Sequence, residues 1–151
     1  MAREDKEVTI MQAAISMNAY QNNQVPMDDP FKSSYQENQV YTATKEELIL
    51  MLYDGALKFI RGAGYALEES NIPQLGYNIL RAQKIIHYLD MTLNLDEGKE
   101  IAENLTKLYD YINRRLFDGQ RQKSAEPLEE AIKIIETLRE GWFMGVVQKS
   151  E

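Results

Sequence analysis

The side chains best suited to chemistry are few: one histidine, His87, the paired carboxylates Glu46-Glu47, Glu68-Glu69 and Glu129-Glu130, and the glycines Gly62 and Gly64. An exposed imidazole on a helical bundle can accept a phosphoryl group, which makes His87 a phosphotransfer candidate. Such a site relies on a lysine three residues further on to hold the added charge, and Asp90 stands there instead. A two-metal site inside a bundle takes a Glu-x-x-His pair from each of two helices. Lys84 occupies the position three before His87, and there is no second histidine. The segment "NLDEG" (Asn94 to Gly98) is far too short for a calcium loop with alternating oxygen ligands. "GAG" (Gly62 to Gly64) follows a helical pattern rather than a strand and lacks the further glycine and lysine of a phosphate loop. Helical glycine costs about 1 kcal/mol relative to alanine, which close approach of another backbone would offset. Cysteine is absent, which removes thiolate nucleophiles, thiolate metal sites and disulfides, and fits a reducing, cytoplasmic compartment. With the carboxylate pairs read as solvated helix faces, no catalytic, metal or cofactor constellation survives. An enzyme is not expected.

The elements that carry these residues are helical. From Lys45 onward, apolar residues recur every three or four positions in four blocks. The first opens at "TKEE", where Thr44 can cap the backbone and Glu47 can reach back, and it runs to about Glu69. Ser70-Asn71 mark its end, and Pro73 falls in the first turn of the second helix, where proline is tolerated. That helix aligns Leu75, Ile79, Ala82, Ile86, Leu89 and Leu93, and "NLDEG" closes it. The third aligns Ile101, Leu105, Leu108, Ile112 and Leu116. A polar turn is expected over Asp118 to Glu126, after which a fourth helix starts near Pro127 and aligns Leu128, Ala131 or Ile132, Ile135, Leu138 and Trp142. The fold class is therefore all-α, an antiparallel up-down four-helix bundle over residues 44–151.

The first helix is richer in apolar residues than a bundle stripe requires. In "LILMLY" (Leu48 to Tyr53) six consecutive apolar residues cover the whole circumference. Leu48, Leu52, Phe59 and Ala63 make one core row, Ile49, Tyr53 and Ile60 an adjacent one, and Leu50 and Leu57 project elsewhere. Each large side chain left in water would forgo about 1.5–3 kcal/mol, so a cover is required. Two coverings remain open: a broad interface with neighbouring helices, or a groove filled by an arm or a partner.

Residues 1–43 have another character. Nine are Asn or Gln, prolines interrupt, and apolar residues are scattered, which reads as a flexible arm with at most a short helix across Glu4 to Met17. Within the arm, "AYQNNQV" (Ala19 to Val25) and "SYQENQV" (Ser34 to Val40) agree at five of seven positions. The net charge of −7 repels phosphate backbones, so neither nucleic acid nor an anionic membrane is an expected partner, and Arg114-Arg115 read as two solvated arginines. No run approaches the roughly 18 apolar residues of a membrane span, and "MAREDKEV" makes a poor secretory signal.

"TATKEELILMLYDGALKFI" (Thr42 to Ile60), "NLTKLYDYINRRL" (Asn104 to Leu116) and "LEEAIKIIETLREGW" (Leu128 to Trp142) closely resemble the flagellin export chaperone family, the FliS-type proteins. The two tyrosine-led peptides resemble that family's N-terminal peptide, so the likeness spans roughly Asn18 to Trp142. The resemblance implies a cytoplasmic helical bundle that binds the disordered C-terminal segment of flagellin, prevents its premature polymerisation and helps deliver it to the flagellar type III export gate. It also leaves room for further flagellar regulators as partners. Flagellin would lie on the apolar first helix, with Ile49, Tyr53, Leu57 and Ile60 as groove residues. The resemblance further implies an N-terminal tyrosine that caps the groove until flagellin displaces it. Counting back from the first helix selects Tyr35, and matching the "NAYQ" start selects Tyr20. Lys45 stands where the family often opens the helix with proline, and Thr44 still caps. The alternative of another class is a homo-oligomeric structural or adaptor bundle that seals the same apolar face, with the histidine phosphotransfer domain a third reading.

Overall fold

The computed structural model describes residues 42–93 and 99–150, the side chains of 146–150 excepted. The arm, its duplicated peptide with Tyr20 and Tyr35, the expected helix across Glu4 to Met17 and the Asn94–Gly98 connection lie outside the described residues. Four helices make up the described chain: α1 (Lys45–Glu68), α2 (Ile72–Met91), α3 (Lys99–Gln122) and α4 (Ala125–Ser150). None is long and apolar enough to cross a membrane.

Local chemistry explains most boundaries. At the start of α1 the Thr44 hydroxyl accepts from the Glu47 amide at 3.1 Å, and the Glu47 carboxylate accepts from the Thr44 amide at 3.2 Å. This reciprocal pair satisfies two donors that a helix start leaves free. Asn71 caps α2 through the Gln74 amide, with Pro73 in the first turn. Ser70 and Lys123 take the left-handed conformation that lets the chain reverse after α1 and α3. The second reversal is much shorter than the sequence suggests, because Asp118 to Gln122 continue α3 and α4 starts at Ala125. The Asp-Gly pair, a turn signal in isolation, is helical here. A Cβ on Gly119 would come within 2.7 Å of the Leu128 side chain, so the glycine permits α3 and α4 to close on each other.

The helices form a ring in which α1 packs against α2 and α4, and α3 completes it against the same two. Cross-helix contacts establish the antiparallel direction. Between α2 and α3, Gln83 donates to the Asn113 carbonyl, Thr106 donates to Asp90 at 2.9 Å, and Gln120 lies beside Gly76. Partners therefore recur every seven residues along both helices, rising on one and falling on the other. Between α1 and α4, Arg61 pairs with Glu136 at 3.3 Å, Asp54 with Arg139, and the Trp142 indole N–H donates to the Glu46 carbonyl at 3.0 Å.

One apolar cluster fills the centre, and no charged side chain among the described residues is buried. α2 contributes Leu75, Ile79, Ala82, Ile86 and Leu89, with Leu93 partly buried, as its periodicity predicts. α3 departs from its predicted stripe: Ile101 is 69% exposed, while Ala102 and Tyr109 are buried. The core face of α3 passes through Ala102, Tyr109, Ile112 and Leu116, and Ile101 falls about 100° from Ala102 in the first turn. Trp142, expected in the core row of α4, is exposed apart from its indole hydrogen bond.

The extra apolar rows of α1 are buried. Positions from Gly55 round to Leu57 span an arc of about 200°. Phe59 meets Tyr77 of α2 edge-on on one flank, and the ion pairs to α4 mark the other. Between the flanks, the Tyr53 hydroxyl crosses the bundle to the Tyr109 hydroxyl of α3 at 2.7 Å. A helix with neighbours on both sides and a diagonal partner opposite needs more than a single stripe.

Burial raises the pKa of both tyrosines above the ordinary 10.0. The folded state thus prefers the neutral phenols, and this contribution is complete below the unfolded value and is lost as pH rises past it. Urea midpoints should fall steeply above about pH 10. The Tyr53→Phe/Tyr109→Phe double variant should show a shallower alkaline decline. Equal slopes would contradict a buried neutral pair. Either single Phe variant should cost about 1–3 kcal/mol at neutral pH by leaving one hydroxyl unpartnered, more than the double variant costs.

Candidate functional site

Where the C-terminal half of α1 passes the N-terminal half of α4 lies an open groove of about 460 Å³. Ile60, Gly64 and Leu67 line it from α1, Leu128 and Ile132 from α4, and Lys123 from the α3–α4 reversal. Tyr65, 69% exposed, stands at one wall, and Arg61, Glu68 and Glu129 supply a rim of mixed charge.

The two glycines of "GAG" have opposite roles. A Cβ on Gly62 would come within 2.9 Å of the Asn78 side-chain oxygen, so this glycine allows α2 to approach. Its packing partner is a side chain rather than the backbone anticipated from sequence. A Cβ on Gly64 would meet nothing within 4 Å. Its missing side chain holds the groove open, and no packing contact offsets its cost to the helix.

Beyond the groove, α1 and α4 are joined on the outside by the Arg61–Glu136 and Asp54–Arg139 pairs. Both are substantially exposed, and exposed pairs contribute about 0–1 kcal/mol each. Among the described residues no group of three or more His, Cys, Asp or Glu side chains could hold a metal ion. His87 is exposed beside Tyr88 on α2, remote in sequence from every groove residue. The groove offers an apolar floor and a polar rim, which suits apolar side chains of another polypeptide.

Of the four groove residues expected from sequence, Ile60 alone lines this groove, as its fully buried floor. Ile49, Tyr53 and Leu57 are buried at 5%, 3% and 5% exposure in the same cluster as core side chains of α2, α3 and α4. They do not form an exposed strip. The sequence pattern assigns Gly64 to close packing and Leu128 and Ile132 to the core row of α4 rather than to a groove, and it assigns Tyr65 no role. The available signal was an aromatic residue on an otherwise polar face.

The family profile described as "Flagellar protein FliS" matches residues 27–149. The chain belongs to the FliS family. It is 38% identical over 114 residues to the "Flagellar secretion chaperone FliS" of Bacillus subtilis, covering 76% of this chain and 84% of that one. It is 35% identical over 107 residues to the protein of the same description from Salmonella typhimurium, covering 70% and 79%. Against the "Flagellar secretion chaperone FliSB" of Pseudomonas aeruginosa it is 33% identical over 106 residues, covering 70% and 84%. FliS proteins are flagellar secretion chaperones, and this chain is a chaperone of that kind rather than an enzyme.

The glycine assignment is directly measurable. Gly64→Ala should raise stability by about 0.5–1 kcal/mol in thermal or urea unfolding, because the helix gains propensity and nothing is displaced. Gly62→Ala should gain less or lose, because the Asn78 amide, which donates to the Gln74 carbonyl at 2.9 Å, must move. The reverse order would contradict the packing described.

Proposed function

We propose that this FliS protein binds the disordered C-terminal segment of flagellin in the cytoplasm, keeps it from polymerising and brings it to the flagellar export gate. The observation that carries the reading is the α1–α4 groove held open by Gly64, an apolar recess on a member of a family of flagellar secretion chaperones. A disordered segment loses entropy on ordering, at about 2–5 kcal/mol or more, and recovers it by burying apolar side chains along an extended path. No catalytic group or nucleotide is needed for capture or release by such a surface.

In this reading the client enters beside Tyr65 and Ile132 at the groove and follows the α1 face that carries Ile60, Leu57, Tyr53 and Ile49. Because all four are buried, contact with them requires the packing over them to open. The weak outer ion pairs leave apolar packing as the main resistance. Either Tyr20 or Tyr35 is proposed to cap the same path when no client is bound. A cap that occupies the groove 90% of the time would weaken apparent affinity about tenfold.

Gly64 lines the groove and a Cβ there meets nothing within 4 Å, so a leucine at this position has room to start into the recess. Gly64→Leu should leave the melting temperature unchanged or higher and weaken binding of a flagellin C-terminal peptide by about tenfold or more, a loss of about 1.4 kcal/mol. Undiminished binding would remove the groove from the client path. Capture of full-length flagellin, and no capture of flagellin lacking its C-terminal tail, is the outcome expected in a pull-down. Equal capture would overturn the client assignment. Deleting residues 1–40 should tighten or preserve peptide binding, and a large loss with intact helicity would contradict the cap.

A further inference from the structure

The outer face of the α2–α3 hairpin joins exposed apolar side chains to cations that the fold does not use. The heptad register of this pair places Gly76 beside Gln120 and Gln83 beside Asn113. Leu80 lies midway between the first and last of these positions on α2, and Phe117 midway on α3, so the two occur at one level. At 100° per residue, each is turned roughly 40–60° outward from the seam. Leu80 is 51% and Phe117 54% exposed, although both belong to residue types that gain from burial.

Around them stand Lys84 on α2 and Lys107, Arg114 and Arg121 on α3, all exposed. The last three are seven residues apart and form one stripe. None makes an ion pair with another described residue, although Glu103 and Asp110 stand four positions before Lys107 and Arg114. The cations of α3 that do pair are different: Arg115 holds Asp118 and, across the seam to α4, Glu130 at 3.0 Å. The named positions are thus four cations, Lys84, Lys107, Arg114 and Arg121, against two anions, Glu103 and Asp110, on a chain whose net charge is −7.

We propose that the α2–α3 outer face docks an acidic amphipathic helix of a partner protein, on a surface separate from the α1–α4 groove. The partner's apolar stripe covers Leu80 and Phe117, and carboxylates at seven-residue spacing meet Lys107, Arg114 and Arg121. An apolar centre with a charged rim is the usual anatomy of a protein interface, and the rim confers selectivity by sign. A helix matches because the cations repeat with a helix's own heptad spacing.

The test uses the full chain and two labelled synthetic peptides of three heptads each, with the same leucine stripe flanked by glutamates in one and lysines in the other. Fluorescence anisotropy should show the glutamate peptide binding about tenfold tighter or more, with affinity falling as salt rises. Lys107→Glu/Arg114→Glu/Arg121→Glu should reverse the preference. Leu80→Ser/Phe117→Ser should weaken the glutamate peptide about tenfold with an unchanged thermal melt, and a flagellin C-terminal peptide should not displace it. Equal affinity for the two peptides, a preference untouched by the charge reversal, or displacement by the flagellin peptide would overturn the proposal.

Discussion

The fold depends on how much of α1 must be kept from water. A helix at the edge of a layer buries one stripe, but α1 has α2 on one flank, α4 on the other and Tyr109 of α3 across the centre. Leu48, Ile49, Leu52, Leu57, Phe59 and Ile60 are all buried as a result. At about 1.5–3 kcal/mol for each large side chain, this helix supplies the largest single apolar contribution to the bundle. Its polar remainder, Asp54, Lys58 and Arg61, is confined to the outside, where two of the three reach α4.

The groove follows from that packing. At Gly64 no side chain fills the space between α1 and α4, and an open recess lies beside Tyr65, Leu128 and Ile132. Under the proposed function, an unfolded client segment calls for a recess that is apolar and reachable while the bundle's own core stays closed. Ile60 belongs both to the core and to the recess floor, whereas Ile49, Tyr53 and Leu57 belong to the core in the described structure.

Local signals carried much of this architecture. Thr44 and Glu47, Asn71 and Pro73, and the stripe of α2 are determined by neighbours within a few residues, so four helices and most of their boundaries could be read directly. The surplus on α1 was legible as a surplus, but whether helices or a client covered it was not, because that depends on residues far away in sequence. Asp118-Gly119 failed for a related reason. A turn signal and a close helix crossing both call for glycine, and only Leu128 distinguishes them. The Tyr53–Tyr109 hydrogen bond likewise joins residues 56 positions apart and has no local signature. In the candidate site, Gly64 was visible as a cost to the helix but was assigned to close packing, and its partners on α4 became apparent only once the helices were placed side by side.

Because the chain has no cysteine, a single environment-sensitive dye can be placed at will. The most direct measurement compares the dye at Tyr65→Cys, on the groove wall, with the dye at Leu80→Cys, on the opposite hairpin, as a flagellin C-terminal peptide is titrated into the full chain. Saturable blue-shifted emission at position 65 with little change at position 80 is the predicted result. A silent position 65 in a protein that binds the peptide would contradict the assignment of the α1–α4 groove as the place where the client is held.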